Sequence, residues 1–349
     1  MSNKNALIIS LNFNPGHVSH LVASYKQCDE LGYTSTYFVA KEFINFLPKD
    51  SDILIFEKDL DKVHLAIFLF PSQKNLPLIW KLKHKGCKVI YIFHEPLAQM
   101  KIYRESGFSI KYLIKLWLIN HISALTVKWS DIVLLPSKKA LNLYKENQLY
   151  KNSNYYYLPL MYVDERCDVY KTKERLYFSY IGTIAADHSF TEFLNFVKWA
   201  VKHDVLPNIK FLIATKSEFE VPDDIKKSSR VVIHKGKAMS DAEINDHYAR
   251  TLVIWNAYTR TTQSGVLAKS FMFATPALVM RHNLNEFMHD KVNVMSITDN
   301  SDCLQIQSAI SHIINNFNTF SNASREEFER SFLYSKYNIQ LKEILDSCN

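Results

Sequence analysis

Short, almost continuously apolar runs alternate with segments of helical periodicity along the whole chain. The runs cover residues 6–11, 34–39, 53–56, 65–70, 88–93 and 132–135 in the first half, and residues 177–181, 209–214, 231–233, 252–256 and 277–280 in the second. A strand that is apolar on both faces must be buried on both faces, and this is the pattern of a parallel sheet covered by helices on each side. The sequence therefore predicts an α/β fold with doubly wound sheets.

A charged stretch without periodicity interrupts this alternation at residues 161–175. It predicts a linker between a Rossmann-like domain at residues 1–160 and a second Rossmann-like domain at residues 176–323, followed by a long terminal helix at residues 324–349. A length of 349 residues suits two domains of this kind. We expect the two domains to face each other with the carboxyl ends of their strands at a cleft, where open α/β sheets bind ligands.

The net charge and the spacing of the cysteines favour some classes of protein and argue against others. Lys and Arg number 42 against 35 Asp and Glu, a net charge of +7 that suits a phosphate-bearing ligand or an anionic surface. No dense basic tract is present, which argues against a nucleic-acid partner. The five cysteines lie outside metal-site and redox spacing, as in a protein of a reducing cytoplasm. No secretory signal and no apolar run of ~20 residues is found, so no membrane-spanning helix is expected.

No metal or dinucleotide motif is found in the sequence. The 13 histidines do not cluster with carboxylates or thiols at ligand spacing, and the string Asp50-Ser51-Asp52 falls in a predicted surface turn before a strand. There is no Gly-x-Gly-x-x-Gly, which argues against a dinucleotide oxidoreductase. We therefore expect neither a metal nor a cofactor.

Three serines are followed by a glutamate at capping-box spacing. Ser189, Ser240 and Ser324 each stand three residues before a glutamate, so each is predicted to begin a helix.

The densest polar segment of the chain follows the strand predicted at residues 252–256 and precedes a predicted helix. A helix amino terminus with a serine cap and a glycine offers backbone N–H groups to a phosphate, and an arginine in the loop can clamp phosphate oxygens. The simpler alternative is a plain capped helix. The candidate ligand residues are Arg260, Thr261, Thr262, Gln263, Ser264 and Gly265.

Residues 264–279, with their Thr275-Pro276 step, resemble the nucleotide-sugar segment of GT-B glycosyltransferases, of family 4 in particular. Counting back from Pro276 places Thr261 and Lys269 where that family has two glutamates. The resemblance implies that the loop and the helix bind the donor. It also implies that Lys269 and Arg260 supply positive charge to the donor phosphates.

Other segments resemble the same family. Residues 177–182 are similar to the first strand of its second domain, with Thr183 where an arginine is usual, and residues 234–240 are similar to its glycine-containing loop near the nucleobase. The resemblance adds Gly182, Thr183, Lys235 and Gly236 to the donor-binding residues. It also implies that the terminal helix crosses back to the first domain.

In the first domain the resemblance points to two loops. Gly16 follows the first strand, where these enzymes approach the donor phosphates, although a plain turn is the alternative. His94 and Glu95 end a buried strand and could orient or deprotonate an acceptor hydroxyl, the alternative being a structural strand-end pair. Asp187 of the second domain could contact the sugar or the acceptor, or simply precede a helix.

Residues 110–129 predict a basic amphipathic helix. On a helical projection Lys111, Tyr112, Lys115, Ser123 and Thr126 form a narrow polar arc, and almost everything else is apolar. Together with Trp117, Lys111 and Lys115 could place the helix in an anionic membrane interface. The alternative is a core helix with one wet edge, its polar arc in water.

Together these features and the resemblance predict a metal-independent, hexosyltransferase-like glycosyltransferase, and the resemblance to family 4 implies that it is retaining. The expected donor is a nucleotide-sugar linked to UDP or GDP, and the expected acceptor is a glycan or lipid-linked molecule of surface polysaccharide such as lipopolysaccharide. The expected location is the cytoplasm or the inner face of the membrane. The alternatives are a sugar-nucleotide epimerase or phosphorylase of the same fold, and a non-catalytic module that binds a nucleotide or a glycan.

Overall fold

The chain forms two compact units. The structure, a computed structural model, describes residues 4–54, 60, 62–98, 100–105, 110–260 and 264–347. The first unit comprises Met1–Val163 together with Leu333–Asn349, and the second comprises Asp164–Phe332. Each unit has a six-stranded sheet in which the described strands pair in parallel. The predicted α/β fold with two parallel sheets is confirmed.

The sheet of the first unit is doubly wound. Its strands are β1 (Lys4–Ser10), β2 (Tyr33–Val39), β3 (Val63–Phe68), β4 (Lys88–Ile92), β5 (Ile132–Leu135) and β6 (Tyr155–Tyr157), and its helices are α1 (Val18–Glu30), α2 (Asn75–His84), α3 (Met100–Glu105), α4 (Ile110–Trp129) and α5 (Lys138–Glu146). The strand order is β2-β1-β3-β4-β5-β6. The chain therefore changes direction across the sheet between β1 and β3, which is the place where such sheets bind ligands.

Apolar burial explains the strands of this unit. Ala6 to Ile9 in β1 and Ile132 to Leu135 in β5 are buried on both faces, as the unbroken apolar runs predict. The strand predicted at residues 53–56 is described only at its beginning. Ile53 makes a single bridge to Tyr37, and residues 55 and 56 lie outside the described residues.

The second unit repeats the architecture. Its strands are β7 (Tyr177–Ile181), β8 (Lys210–Ala214), β9 (Val231–His234), β10 (Thr251–Asn256), β11 (Ala277–Met280) and β12 (Val294–Ile297), and its helices are α6 (Asp168–Lys171), α7 (Phe190–Lys202), α8 (Asp223–Lys226), α9 (Asp241–Ala249), α10 (Gly265–Met272), α11 (Cys303–Asn315) and α12 (Phe317–Ser331). The order is β12-β11-β10-β7-β8-β9, so the change of direction lies between β7 and β10. The edge strand β12 was not predicted, because only Val294 and Ile297 of its four residues are fully buried.

One of the three predicted capping boxes is confirmed. Ser240 accepts from the Glu243 N–H, and the Glu243 carboxylate accepts from the Ser240 N–H. The box at Ser189 is wrong, because Ser189 adopts a left-handed φ of 52° and its hydroxyl instead accepts from Asn300 Nδ2. The helix predicted to begin at Ser324 is wrong too. Ser324 lies inside α12, where its hydroxyl donates to the Phe320 carbonyl one turn earlier.

The chain returns to the first unit after α12. Residues 324–331 belong to α12, so the returning segment begins at Leu333 rather than at residue 324. Helix α13 (Asn338–Ser347) buries Leu341, Ile344 and Leu345 in the first unit. Lys88 Nζ donates to the Leu345 carbonyl at 2.9 Å.

Helix α4 departs from the predicted core helix with a wet polar arc, because only Lys111, Tyr112 and Lys115 of that arc are exposed. Asn120, Ser123 and Thr126 are buried, although the latter two belong to the predicted wet arc. Thr126 satisfies its hydroxyl by donating to the Ile122 carbonyl at 2.9 Å. Much of the apolar surface of α4 is exposed instead. Within the described part of the chain, no helix is long and apolar enough to cross a bilayer.

Candidate functional site

Some of the predicted donor residues of the second unit lie where its sheet changes direction. Gly182 and Thr183 directly follow β7, and Arg260 follows β10 by four residues. Since β7 and β10 are neighbours in a parallel sheet, their carboxyl ends lie side by side. Ligands of open α/β sheets bind at this position.

A glycine brings the end of β7 against the start of α10. Gly182 has a φ of 139°, which side chains rarely tolerate. A Cβ on it would stand 3.5 Å from Cγ2 of Val266 in the first turn of α10. The predicted donor residues Gly182 and Gly265 are therefore brought together.

The amino terminus of α10 is fixed by Ser264 and Asn256. Ser264 Oγ accepts from the Leu267 N–H at 3.3 Å, as the predicted cap requires, and from Asn256 Nδ2 at 2.8 Å. The polar end of β10 thus orients the start of the helix. A helix amino terminus held this way presents N–H groups and a partial positive charge to an anion.

The loop between β10 and α10 is only partly described. Arg260 is partly buried at its start, and Thr261, Thr262 and Gln263 lie outside the described residues. Before it, the Thr259 N–H and hydroxyl both donate to the Asp187 carbonyl, at 2.9 and 3.2 Å. This pairing places the loop of Asp187 next to the loop of Arg260.

The loop after β7 has its own internal bonds. His188 Nδ1 donates to the Thr183 carbonyl at 2.7 Å, and the His188 ring stacks on Tyr258 with centroids 4.3 Å apart. The Asp187 carboxylate is half exposed and lies 3.9 Å from His188 Nε2. Asp187 is therefore available to a ligand at this edge of the sheet, with an imidazole beside it.

Lys235 and Gly236 lie apart from this group, after the edge strand β9. Lys235 Nζ donates to the Phe219 carbonyl at 2.6 Å and is 3.2 Å from Glu218 Oε2. Gly236 has a φ of 80°, and a Cβ there would stand 2.0 Å from Glu218 Oε1. The structure does not bring these two residues to the junction of β7 and β10.

Lys269 forms an ion pair inside the second unit. Its Nζ lies 3.0 Å from Glu165 Oε2, which also accepts from Asn245 Nδ2 at 2.9 Å. The two charged side chains are only 10% and 20% exposed. The cationic partner predicted for the donor phosphates is thus neutralised by a carboxylate. Glu165 stands in the predicted linker, and no local sequence signal connects it with Lys269.

The charges of Lys269 and Glu165 also affect the pKa of Asp241, at the start of α9. Desolvation raises the pKa of its carboxyl group, the Lys269 ammonium lowers it, and the Glu165 carboxylate raises it. Asp241, Glu165 and Lys269 therefore belong to one electrostatic cluster.

In the first unit, Gly16 lies in an exposed turn. Its N–H donates to Asn14 Oδ1 at 3.2 Å, the geometry of a simple asparagine turn. The next residue, His17, stacks on Phe70 with ring centroids 3.3 Å apart. Because Phe70 follows β3, this contact joins the loops after β1 and β3 at the point where the sheet changes direction.

His94 packs into the same group of rings. It follows β4, and its ring centroid is 4.3 Å from that of Phe70 and 5.9 Å from that of His20. Desolvation holds the pKa of His94 well below its usual value, and His20 and His17 lower it further. At neutral pH His94 is therefore an uncharged imidazole. Its neighbour Glu95 is exposed.

His17 and His20 were not foreseen from the sequence. His20 is buried, with Nδ1 donating to the Met161 carbonyl at 3.2 Å and Nε2 3.3 Å from the Tyr162 hydroxyl. Their spacing of three residues, straddling the start of α1, was the available signal, because positions three apart share a helix face.

The buried imidazole predicts a pH-dependent stability. The unfolded chain protonates His94 near pH 6.5, whereas the folded chain does so only at much lower pH. Between these values the unfolded state binds more protons, so the free energy of unfolding should fall as the pH falls below 6.5, by at most about 1.4 kcal/mol per pH unit from this group. His247, whose pKa is also lowered by burial, contributes with the same sign. Urea denaturation at pH 5.5 and 7.5 measures the effect.

The matched variants are His94→Gln and, at an exposed position, His203→Gln. We expect His94→Gln to flatten the pH dependence and His203→Gln to leave it unchanged. An undiminished slope in His94→Gln would show that the folded state does protonate His94 normally.

Within the described residues, no group of three or more His, Cys, Asp or Glu side chains could hold a metal ion. The chain matches no protein-family model, and no curated protein matches its sequence.

Solved structures do match it along its whole length. HepE of Anabaena, in complex with UDP and glucose, has a TM-score of 0.71 at 11% identity, covering 99% of this chain and 100% of its own. A glycosyltransferase from Rickettsia africae has a TM-score of 0.69 at 12% identity, covering 100% and 99%. Sucrose-phosphate synthase from Thermosynechococcus elongatus has a TM-score of 0.63 at 11% identity, covering 99% of each chain. At these identities the likeness establishes the fold, and the expected GT-B fold is confirmed.

Proposed function

We propose that this chain is a glycosyltransferase that moves a sugar from a nucleotide-sugar, UDP- or GDP-linked, to a glycan or lipid-linked acceptor of surface polysaccharide. The observation that carries the proposal is the packing of Gly182 against the first turn of α10, beside the loop of Arg260. The likeness of residues 264–279 to family 4, and the UDP-glucose complex of HepE, support the choice of donor.

The second unit holds the donor in this proposal. The amino terminus of α10, capped by Ser264, and the Arg260 guanidinium bind the diphosphate. As the bond between the sugar and the phosphate breaks, negative charge accumulates on the leaving diphosphate. The helix N–H groups and Arg260 stabilise that charge, so this step needs no metal ion. Lys269, held by Glu165, takes no part.

The first unit acts on the acceptor. Because His94 is uncharged at neutral pH, its imidazole can accept a proton from an acceptor hydroxyl, provided that the hydroxyl comes within hydrogen-bond distance. The exposed Glu95 carboxylate beside it orients the acceptor. Asp187 of the second unit contacts the sugar.

The Arg260→Ala variant tests the donor site. UDP and GDP should raise the melting temperature of the wild-type protein, because a ligand that binds only the folded state stabilises it. Arg260→Ala should weaken the affinity for the bound diphosphate by roughly 5- to 150-fold, the equivalent of about 1–3 kcal/mol for a charge-assisted contact. The dissociation constant is measured by calorimetry.

Arg104→Ala serves as the control, since Arg104 is exposed and lies on α3 of the first unit. Equal affinities in the wild type and Arg260→Ala would remove Arg260 from the site. Binding of nucleotide-sugar without hydrolysis or transfer to any acceptor would favour the alternative of a non-catalytic binding module. The absence of both family 4 glutamates is the sequence observation behind this alternative.

A further inference from the structure

Helix α4 exposes an unusual amount of apolar surface. Eight of the fifteen exposed large apolar side chains in the described part of the chain lie on this one helix. They are Ile110, Tyr112, Ile114, Trp117, Leu118, Ile119, Leu125 and Trp129. Solitary exposed apolar side chains are ordinary, but a contiguous patch marks an interaction surface.

Six of these side chains form a stripe along the helix, and Tyr112 and Ile119 lie outside it. Ile110, Ile114 and Leu118 follow one another at steps of four residues and are 78%, 57% and 50% exposed. Trp117, 49% exposed, widens the stripe, and Leu125 and Trp129 extend it. The 20 residues of α4 make it about 30 Å long. The opposite face is already packed, through the buried Leu116, Asn120 and Val127.

The charge around the stripe is positive. Lys111 and Lys115 are exposed and each follows a member of the stripe by one residue. Helix α2 packs against α4, and these two helices contain five lysines and no aspartate or glutamate, with Lys83 paired to Asp131 beyond α4. Helix α3, which also packs against α4, adds the exposed Lys101 and Arg104 as well as Glu105.

We propose that this face of α4 docks on an anionic lipid bilayer, with the helix lying in the plane of the interface. Apolar side chains enter the acyl region, the lysines meet acidic headgroups, and Trp117 and Trp129 occupy the interfacial zone that tryptophan prefers. A symmetric dimer through the same face would oppose Lys111 and Lys115 with the lysines of the second copy, and like charges in an interface are costly. Charge complementarity therefore favours the bilayer.

The inference stands independently of the proposed function, because it rests on the surface of α4 alone. It is tested without nucleotide or sugar, by sedimentation with vesicles of phosphatidylcholine containing phosphatidylglycerol and with vesicles of pure phosphatidylcholine. We expect the wild type to sediment with the anionic vesicles at low salt, and less so at high salt, which screens the lysines. The emission of the interfacial tryptophans should shift to the blue, and Trp117→Phe should remove much of that shift.

Two pairs of variants separate charge from apolar contact. Lys111→Gln with Lys115→Gln should weaken binding to anionic vesicles roughly 30-fold, from about a fivefold loss for each lysine near the surface. Ile114→Ser with Leu118→Ser should abolish the tryptophan shift. The controls are Lys226→Gln with Lys227→Gln, and Leu304→Ser, all at exposed positions of the second unit. Because every altered side chain is exposed, unchanged melting temperatures are expected and verify folding.

Three results would overturn the proposal. The first is a wild type that ignores anionic vesicles at low salt. The second is an equal loss of binding in the control variants. The third is a self-associating protein that Ile114→Ser with Leu118→Ser converts to monomer while vesicles remain unbound, because the stripe would then be an interface between copies.

Discussion

His94→Ala should lower the rate of sugar transfer by about 10²-fold or more, the usual contribution of a general base, while leaving nucleotide affinity nearly unchanged. The imidazole is uncharged at neutral pH because desolvation and two neighbouring histidines depress its pKa. It lies in the first unit, whereas the residues proposed for the diphosphate lie in the second. Transfer rate and nucleotide affinity are therefore expected to separate. The measurement is kcat with a saturating donor, together with the dissociation constant of UDP.

Glu95→Gln is the companion variant, because Glu95 is exposed and its substitution removes charge without a cavity. His94→Gln tests whether lost packing alone explains the slower transfer of His94→Ala, since it keeps a polar side chain of similar size. Parallel losses of nucleotide binding and transfer in His94→Ala would contradict the division between donor and acceptor residues. Full activity in both His94→Ala and Glu95→Gln would make the pair structural and direct attention to Asp187.

Lys269→Ala should lower the free energy of unfolding of the second unit by about 3–5 kcal/mol, the range for removing one partner of a buried ion pair. The variant would remove the ammonium from Glu165, which is 20% exposed in the intact pair and also accepts from the Asn245 amide. The Lys269 ammonium lowers the pKa of Asp241, so removing it should make the Asp241 carboxyl group harder to ionise. Urea denaturation followed by tryptophan fluorescence, with Trp255 in the core of this unit, reports the loss.

The double variant Lys269→Met with Glu165→Gln is the decisive control. It removes both charges together and should recover most of the lost stability, since replacing a whole buried pair is often close to neutral. Lys171→Ala breaks the exposed pair with Asp168 and should change little. If Lys269→Ala unfolds no more easily than Lys171→Ala, the pair contributes no net stability. An intact nucleotide affinity in the folded double variant would support leaving Lys269 out of the donor site.

The strands could be predicted because their signal is local. An unbroken apolar run such as Ile132–Leu135 states that both faces are buried. The capping boxes show the limit of local reasoning, because Ser240 and Ser324 carry the same spacing and only the first begins a helix. Ser324 lies within α12, where its hydroxyl lies within hydrogen-bond distance of the Asn293 and Phe320 carbonyls. A contact with a residue 31 positions away is invisible to the pattern.

The sequence pattern also cannot show which face of a helix is buried. The alternation on α4 reveals a polar arc and an apolar remainder, but it does not say which of them meets the sheet. Asn120 turns inward because Tyr150 and Asn147 both donate to its side-chain oxygen, at 2.6 and 3.2 Å. These partners lie 30 and 27 residues away along the chain. The helix periodicity alone therefore wrongly placed Ser123 and Thr126 in water.

The candidate site was predictable where the chain supplies glycine and polar residues at strand ends, as at Gly182 and Ser264. It was not predictable where a charge is satisfied at a distance. Lys269 and Glu165 are 104 residues apart, and only the fold brings them to 3.0 Å. The cluster of His17, His20 and His94 likewise needs the segments that follow β1 and β4 to meet.

The first unit is built from both ends of the chain, because Leu333–Asn349 joins Met1–Val163. A ribosome that synthesises this protein therefore delivers the entire second unit before the segment that completes the first. We expect the later-made unit to reach its final fold earlier, while the earlier-made one waits for Leu341, Ile344 and Leu345 to cover it. A truncation that removes residues 333–349 would consequently damage the unit formed by residues 1–163.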